Sequence, residues 1–523
     1  MNMKNILRNI LLSGVAVTMF ASCNLDLVPT TAITYEEGEL LILNQQDVVE
    51  FQNGVLASYR GLHYGSNYQM VEVMTECFNA TIDFGNNYGF VHRLGDGFLA
   101  SDEDVEGFWA SHYGAIKNYN VVLEQCEMVE DENLESSVNI LRGFALFCRA
   151  SSYLSLARAF SVDYDPDTAE DELSVPLILK YDQFEKPVRA TLQEVYDQIY
   201  EDLDEAEMLL SDAVEEANDN GEDIKVNGTS VNLMGRIQSL VPTVDAVKAL
   251  KARYYLDIHE YSDAADMAEE VMSSSAGYAL SSSKDDMMLE FRNDSGEESI
   301  IRLYASKAEG SVGCGIYTGV SKTADDGIFF SPMFIPSQVI IDAYDATDLR
   351  KAVWFPKDYY PVKVQGTLYD GVHIFTKYIG NQNLQTKEYE DGAHYCKPLM
   401  IAEMYLIAAE AYAQDNKESK AKKVLNKLQR ARKAELSGGT LEDVKLEWLR
   451  ETVGEGQRIN CIKRWGDGLE ARPGQDAAEI FLQVTPAYDY VDRELDADSH
   501  TLVWPIPSYE IKIAPNLEQN PGY

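Results

Sequence analysis

Over most of its length this chain repeats apolar residues every three or four positions, the spacing of one buried helix face. The segment from Thr191 to Leu210 shows it most plainly. Thr191 and Glu194 form a capping box, after which Leu192, Val195, Tyr196, Ile199, Leu203 and Ala206 fall on one stripe. Phe108 through Glu127 reads as an amphipathic helix facing Val138 through Phe160, where FALFCRASSYLSLARAF is apolar enough to be buried on most sides. Between these pieces, Pro166 and Val175-Pro176-Leu177 mark a non-helical excursion.

Two further helical hairpins share a spacing of small residues. Ala252, Tyr255 and Ala264 in one, and Ala409, Tyr412 and Ala421 in the other, step by three and then nine positions, as the small, aromatic and small positions of tetratricopeptide repeats do. The short polar turns at Ile258 to Ser262 and Asp415 to Glu418 suit a helix hairpin. The two units stand far apart in sequence. The pattern therefore predicts a mainly α fold: a tetratricopeptide-like helical-repeat scaffold with long irregular insertions and a few short strands.

Composition narrows the partners. The chain has 523 residues, 45% hydrophobic and 25% charged, enough for a large core, and its formal net charge is −42. Such a field disfavours phosphate backbones and excludes nucleic acid as a partner. It predicts a neutral cargo unless a local basic patch intervenes. Cys77, Cys126, Cys148, Cys314, Cys396 and Cys461 form no C-x-x-C pair and no zinc-finger spacing, so buried free thiols are the expectation for most and no bridge is named.

Both ends of the chain carry family-level signals. Lys4 and Arg8 precede an apolar run from Ile10 to Ala21, and Phe20-Ala21-Ser22-Cys23 resembles a lipoprotein box in which Phe20 replaces the usual Leu. The other end runs from Trp504-Pro505-Ile506-Pro507-Ser508-Tyr509-Glu510 through Pro515-Asn516-Leu517 to Gln519-Asn520-Pro521-Gly522-Tyr523, too proline-rich for a helix and so laid against folded structure. That tail, together with Ala402-Glu403-Met404-Tyr405-Leu406, Ala408 to Tyr412, Arg450-Glu451, Glu455 to Arg458 and Lys463-Arg464-Trp465-Gly466, resembles the SusD/RagB family of surface lipoproteins. Leu449 and Gly454 depart from the family pattern, where an acid and an apolar residue are usual. Arg458, Arg464 and Trp465 are expected to be structural, their charges neutralised by carboxylates.

The resemblance implies a signal peptide at 1–22, a SusD-like N-terminal region at 23–240 and a C-terminal region at 241–523 packed with it as one unit. It implies lipid attachment at Cys23, surface exposure on the outer membrane, and a TonB-dependent SusC-like transporter as partner. The implied function is capture of a glycan or oligosaccharide for that transporter. A peptide-binding member of the family remains an alternative, as, further off, does a surface glycoside hydrolase or a scaffold that binds only protein.

Chemistry-bearing motifs are sparse. No G-x-S-x-G, H-E-x-x-H or Walker sequence occurs, so no enzyme and no cofactor is expected. Asp163, Asp165 and Asp167 begin like a calcium loop, but Thr168 and Ser174 stand where Gly and Glu are needed, and no metal site is assigned. Binding residues are sought instead in the irregular insertions at 61–100 and 281–345. Tyr64, Tyr68 and Tyr88 offer apolar faces and Asn86 and Asn87 offer paired amides, the chemistry that holds a sugar ring, with Tyr317 assisting from the second insertion. Phe330-Ser331-Pro332 reads as buried support. The five tryptophans all have scaffold positions, which leaves recognition to some of the 31 tyrosines.

Overall fold

The computed structural model describes residues 39–63, 66–81, 88–94, 98–180, 186–226, 228–236, 240–309, 315–475 and 494–523. Numbering the helices of eight residues or more, they are α1 (Gln45–Leu62), α2 (Ser66–Val73), α3 (Glu103–Met128), α4 (Glu135–Phe160), α5 (Leu192–Asn220), α6 (Val244–Asp257), α7 (Tyr261–Met272), α8 (Lys284–Arg292), α9 (Ile401–Gln414), α10 (Glu418–Arg432), α11 (Leu441–Thr452) and α12 (Arg458–Trp465). Strands are short: β1 (Phe78–Ala80), β2 (Lys225–Val226), β3 (Thr229–Ser230), β4 (Ser299–Leu303), β5 (Ser321–Thr323), β6 (Gly327–Phe329), β7 (Phe334–Pro336), β8 (Val362–Val364), β9 (Thr367–Tyr369) and β10 (Cys396–Met400).

Local chemistry sets the helix starts. Asn44 with Asp47, Thr191 with Glu194 and Thr440 with Asp443 close capping boxes at α1, α5 and α11, satisfying amide donors that have no partner inside the helix. The stripe read on α5 is buried along its length. Helix α4 is buried on nearly all sides because α1, α3 and α5 pack around it.

The helices α3 to α7 then follow as neighbours in sequence and in space, and α9 and α10 continue the row directly on α7. Ala252, Ala264, Ala409 and Ala421 are all fully buried at the close approaches within the two hairpins. The chain between α7 and β10 is looped out of the row and builds the small sheets. Antiparallel pairs join β1 to β7, β4 to β10, β5 to β6 and β8 to β9. Phe330, expected as support, is 1% exposed in a satellite core with Ile335, Val362, Val364 and Ile374.

Ion pairs lock this arrangement. Arg432 at the end of α10 holds Glu298 through two bonds of 2.7 Å and Glu451 of α11 at 2.5 and 3.0 Å. Arg350 meets Asp348 at 2.7 Å, Glu447 at 2.7 Å and the same Glu451 at 2.8 Å. The side chains of both arginines are fully buried. The structural roles expected for Arg458, Arg464 and Trp465 are seen directly. Arg458 reaches Glu76 at 2.6 Å, Arg464 grips Glu410 at 2.8 and 2.9 Å, and the Trp465 indole donates to Glu410 at 2.8 Å. Cys77, Cys126, Cys148, Cys396 and Cys461 are buried free thiols. The tail packs on the end of α4, with the Asn520 amide donating to the carbonyls of Phe160 and Trp504 at 2.8 and 2.6 Å. It is not extended throughout: a short helix, Ser508–Ile513, forms directly after Pro507, where the ring ends the non-helical stretch and no proline follows until Pro515.

Burial works against the Glu451 charge, but Arg432 and Arg350 prevail and hold its pKa down to about 2 from 4.5. A carboxyl depressed on folding stabilises fully above its unfolded value, and that stability is lost as acid protonates it. The Glu451 contribution is therefore expected to be complete above pH 4.5 and to fade toward pH 2. Glu451→Ala should remove about 3–5 kcal/mol by stranding buried guanidinium charge, read by urea unfolding, and should flatten the acid limb of the stability–pH curve between those values.

Candidate functional site

The antiparallel register of β4 and β10 sets Leu303 opposite Cys396, so the next residues outward, Tyr304 and Tyr395, also face each other. Their ring centroids are 5.6 Å apart and tilted by 56°. Period-two alternation puts Arg302 on the same side of β4 as Tyr304, while Ile301 and Leu303 turn into the core. Tyr304 is half exposed, unusual for a large ring in this protein.

These side chains line an open cleft of about 820 Å³. Its other walls are Asn232, Gly235, Arg236 and Leu240, Ser275 and Ala276 past α7, the turn Asn293–Gly296 after α8, and Asn381, Asn383 and Leu384. Asn232, Asn293 and Asn383 are exposed there, each offering a donor and an acceptor. Tilted rings above exposed amides supply apolar faces for C–H groups and polar partners for hydroxyls.

Asp294 holds the floor. Its backbone is left-handed, with φ 52, and its carboxylate accepts from Lys397 Nζ at 2.5 Å, Asn381 Nδ2 at 2.9 Å and the Tyr395 amide at 3.0 Å. One residue thus ties the α8 turn to the 380–395 loop and to β10. Burial opposes its charge, but the Lys397 ammonium keeps its pKa below the ordinary carboxylate value. Two glycines permit the close approaches. A Cβ on Gly296 would lie 2.8 Å from the Glu290 backbone, and one on Gly380, at φ 123, would lie 3.0 Å from the Gly392 nitrogen. A smaller cavity of about 100 Å³ lies deeper, among Leu62, His112, Arg158, Arg253, Lys397 and Gln457. Its cations are spent on Asp257, Glu403 and Asp294, which makes it a polar interior rather than a second mouth.

The chain matches two family models, "Starch-binding associating with outer membrane" over residues 25–221 and "SusD family" over residues 342–523. The chain belongs to the SusD/RagB family. It is similar to SusD-like protein P2 of Formosa agariphila, 24% identical over 464 residues that make up 82% of each chain. Its fold is that of a SusD superfamily protein from Bacteroides thetaiotaomicron, with a TM-score of 0.71 at 22% identity, covering 91% of this chain and 99% of that one. It also matches a laminarin binding SusD-like protein, with a TM-score of 0.66 at 19% identity, covering 92% of this chain and 100% of the other.

In this SusD/RagB chain the sites read from sequence are distributed as follows. Cys23, Tyr64, Asn86 and Asn87 lie outside the described residues, and Tyr68 is placed by its backbone on α2. Tyr88 is 9% exposed and takes a left-handed φ of 64 at the start of the short helix Gly89–Arg93. Tyr317 is a correction. At 2% exposure its ring packs 4.6 Å from Phe78 and 5.2 Å from Phe375, because the Met333 amide pins the helix Gly315–Thr318 against β7 by a 2.7 Å bond to the Ile316 carbonyl. Its ring is core packing and not a contact surface.

The structure nonetheless brings the two expected insertions together. Pairing of β1 with β7 joins them, and α1 ends beside the cleft, with Arg60 donating to the Tyr304 carbonyl at 2.7 Å and Cys396 Sγ to the His63 carbonyl at 3.0 Å. Sequence reasoning missed Tyr304, Tyr395, Asn381 and Asn383. The alternation Ile301-Arg302-Leu303-Tyr304 and the amide-rich Asn381-Gln382-Asn383 were the available signals. Asp294→Ala is expected to destabilise the fold by about 3–5 kcal/mol through the stranded Lys397 ammonium. In hydrogen exchange, the 380–395 amides should lose protection before the helical row does.

Proposed function

We propose that this chain captures a glycan or oligosaccharide in the Tyr304–Tyr395 cleft and hands it to a TonB-dependent outer-membrane transporter. The observation that carries the reading is the opposed tyrosine pair lining one concave site with exposed asparagine amides, on a strand pair. A flat surface would have favoured a scaffold that binds only protein. Tyr64, Tyr68, Asn86, Asn87 and Tyr88 are proposed as further ligand contacts. The laminarin binding relative lends support to a glycan as cargo; a peptide remains the second reading, since rings and amides serve it equally.

A hydrolytic role fits poorly. A glycosidase needs two carboxylates across the scissile bond, whereas the cleft carboxylate, Asp294, is committed to three donors. Placement on the outer membrane follows the family description, and lipidation at Cys23 is proposed as the anchor. Among the described residues no helix is long and apolar enough to cross a membrane.

Tyr304→Ala and Tyr395→Ala together should weaken glycan binding at least about fivefold, since aromatic stacking at a pocket is worth about 1–3 kcal/mol for two rings. A glycan array run beside a free-peptide panel reads this out, and full affinity in the double variant would move the site to the Tyr64–Tyr88 loop. Trp109, Trp354, Trp448 and Trp504 are buried, so saturating ligand should barely shift tryptophan emission. For the anchor, Cys23→Ala should appear in the soluble fraction; retention in the membrane fraction would refute lipidation there.

A further inference from the structure

Among the described residues most buried arginines hold a carboxylate, and two that do not, Arg189 and Arg302, differ in how their donors are used: Arg189 spends its guanidinium on the carbonyls of Leu173, Ser174 and Glu518. Arg149, Arg158, Arg253, Arg350, Arg432, Arg458 and Arg464 each hold a carboxylate. Arg302 is only 6% exposed, yet among the described residues no carboxylate lies within ion-pair distance of it. Its one hydrogen bond goes from Nη1 to the backbone carbonyl of Asp294. The Asp294 carboxylate points elsewhere, to Lys397, Asn381 and the Tyr395 amide. A buried guanidinium therefore faces the cleft with its charge uncompensated and donors to spare.

The surroundings reinforce it. Acids outnumber bases by 86 to 44 in the chain, yet the lining of the cleft holds two arginines, Arg236 and Arg302, and a single carboxylate already neutralised by Lys397. Arg236 meets Glu297 only at the exposed rim. The repulsive field of the whole molecule is screened beyond about 8 Å at physiological salt, so a group seated in the cleft experiences these local cations first.

We propose that the glycan taken by this cleft carries an anionic group, a uronate carboxylate or a sulfate ester, which Arg302 reads while Tyr304 and Tyr395 receive the sugar ring. The inference rests on the cleft being the glycan site. A guanidinium fork matches two oxygens of such a group, and Tyr304, two residues along the same strand face, sets the ring beside it. The neutral cargo expected from overall charge is thereby replaced by an acidic one, through a basic patch that the loop at 61–100 does not contain.

The test is calorimetry on the full-length protein in detergent with three probes: an oligogalacturonide, its carboxyl-reduced neutral counterpart and a sulfated galacto-oligosaccharide. The wild-type protein should bind one or both acidic probes about tenfold more tightly than the neutral one, the worth of one charged hydrogen-bond pair, and that preference should shrink as salt rises. Which acidic probe binds separates carboxylate from sulfate. Arg302→Gln should abolish the preference, costing the acidic probe about tenfold more affinity than the neutral one, and Arg302→Lys, which keeps the charge and loses the fork, should fall between. Should the Gln variant unfold, the Lys variant and the salt dependence of the wild type carry the decision.

Equal affinity for acidic and neutral probes, or equal losses for both in the Arg302 variants, overturns the proposal. The Tyr304→Ala control separates the two levels. If it weakens every probe while Arg302 discriminates none, only the charge reading fails. If it weakens none, or no probe binds, the cleft itself is not the glycan site.

Discussion

Two arginines in the interior of an acidic chain share one carboxylate, Glu451, and most of the architecture converges on that point. Arg432 brings the end of the α9–α10 hairpin to it, Arg350 brings the short helix Leu349–Trp354, and Glu298 ties in the strand pair that carries the cleft. Lys377 adds the next loop, donating to the Glu451 carbonyl at 2.8 Å and to Glu455 at 2.7 Å while its ammonium sits 4.1 Å from the Trp354 ring. Desolvating so many charges is expensive, and the attraction between them roughly offsets that expense. The weight of the network lies in geometry. Each partner has a definite place only if the others are in theirs.

The cleft inherits its rigidity from this anchor. Glu298 precedes β4 by one residue, so the strand that presents Arg302 and Tyr304 begins on the ion network. At the other end, Arg253 of α6 clamps Glu403 and the Pro398 carbonyl, fixing β10 where it runs into α9. The proposed recognition surface is thus a short two-stranded piece suspended between two helical hairpins. Rings mounted this way lose little freedom when a ligand arrives.

The scaffold was legible because helices announce themselves locally. Capping boxes at Thr191 and buried alanines at 252, 264, 409 and 421 need only neighbours a few residues away to be recognised. The tail and the Arg458–Gly466 segment were legible through family resemblance, and the roles of Arg464 and Trp465 through the need of a cation for a carboxylate. The cleft was not. Tyr304 and Tyr395 come from strands about ninety residues apart whose pairing no periodicity encodes, and Tyr317 and Tyr304 look alike in a list of aromatics although one lies in the core and the other in solvent. Nor does a sequence distinguish an arginine with a carboxylate partner from one without.

The ion pairs that close the fold join residues very far apart along the chain: 134 positions for Arg432 and Glu298, 150 for Arg253 and Glu403, 207 for Arg464 and Asp257, and 382 for Arg458 and Glu76. Loops of that size close slowly, and contacts that depend on them form late, after the local helical hairpins have already gathered. Bonds absent from the transition state do little to hasten folding, but they must be broken before the native state can open. The consequence is a molecule whose endurance is a matter of rate: once the last arginine has found its acid, the chain is slow to let go.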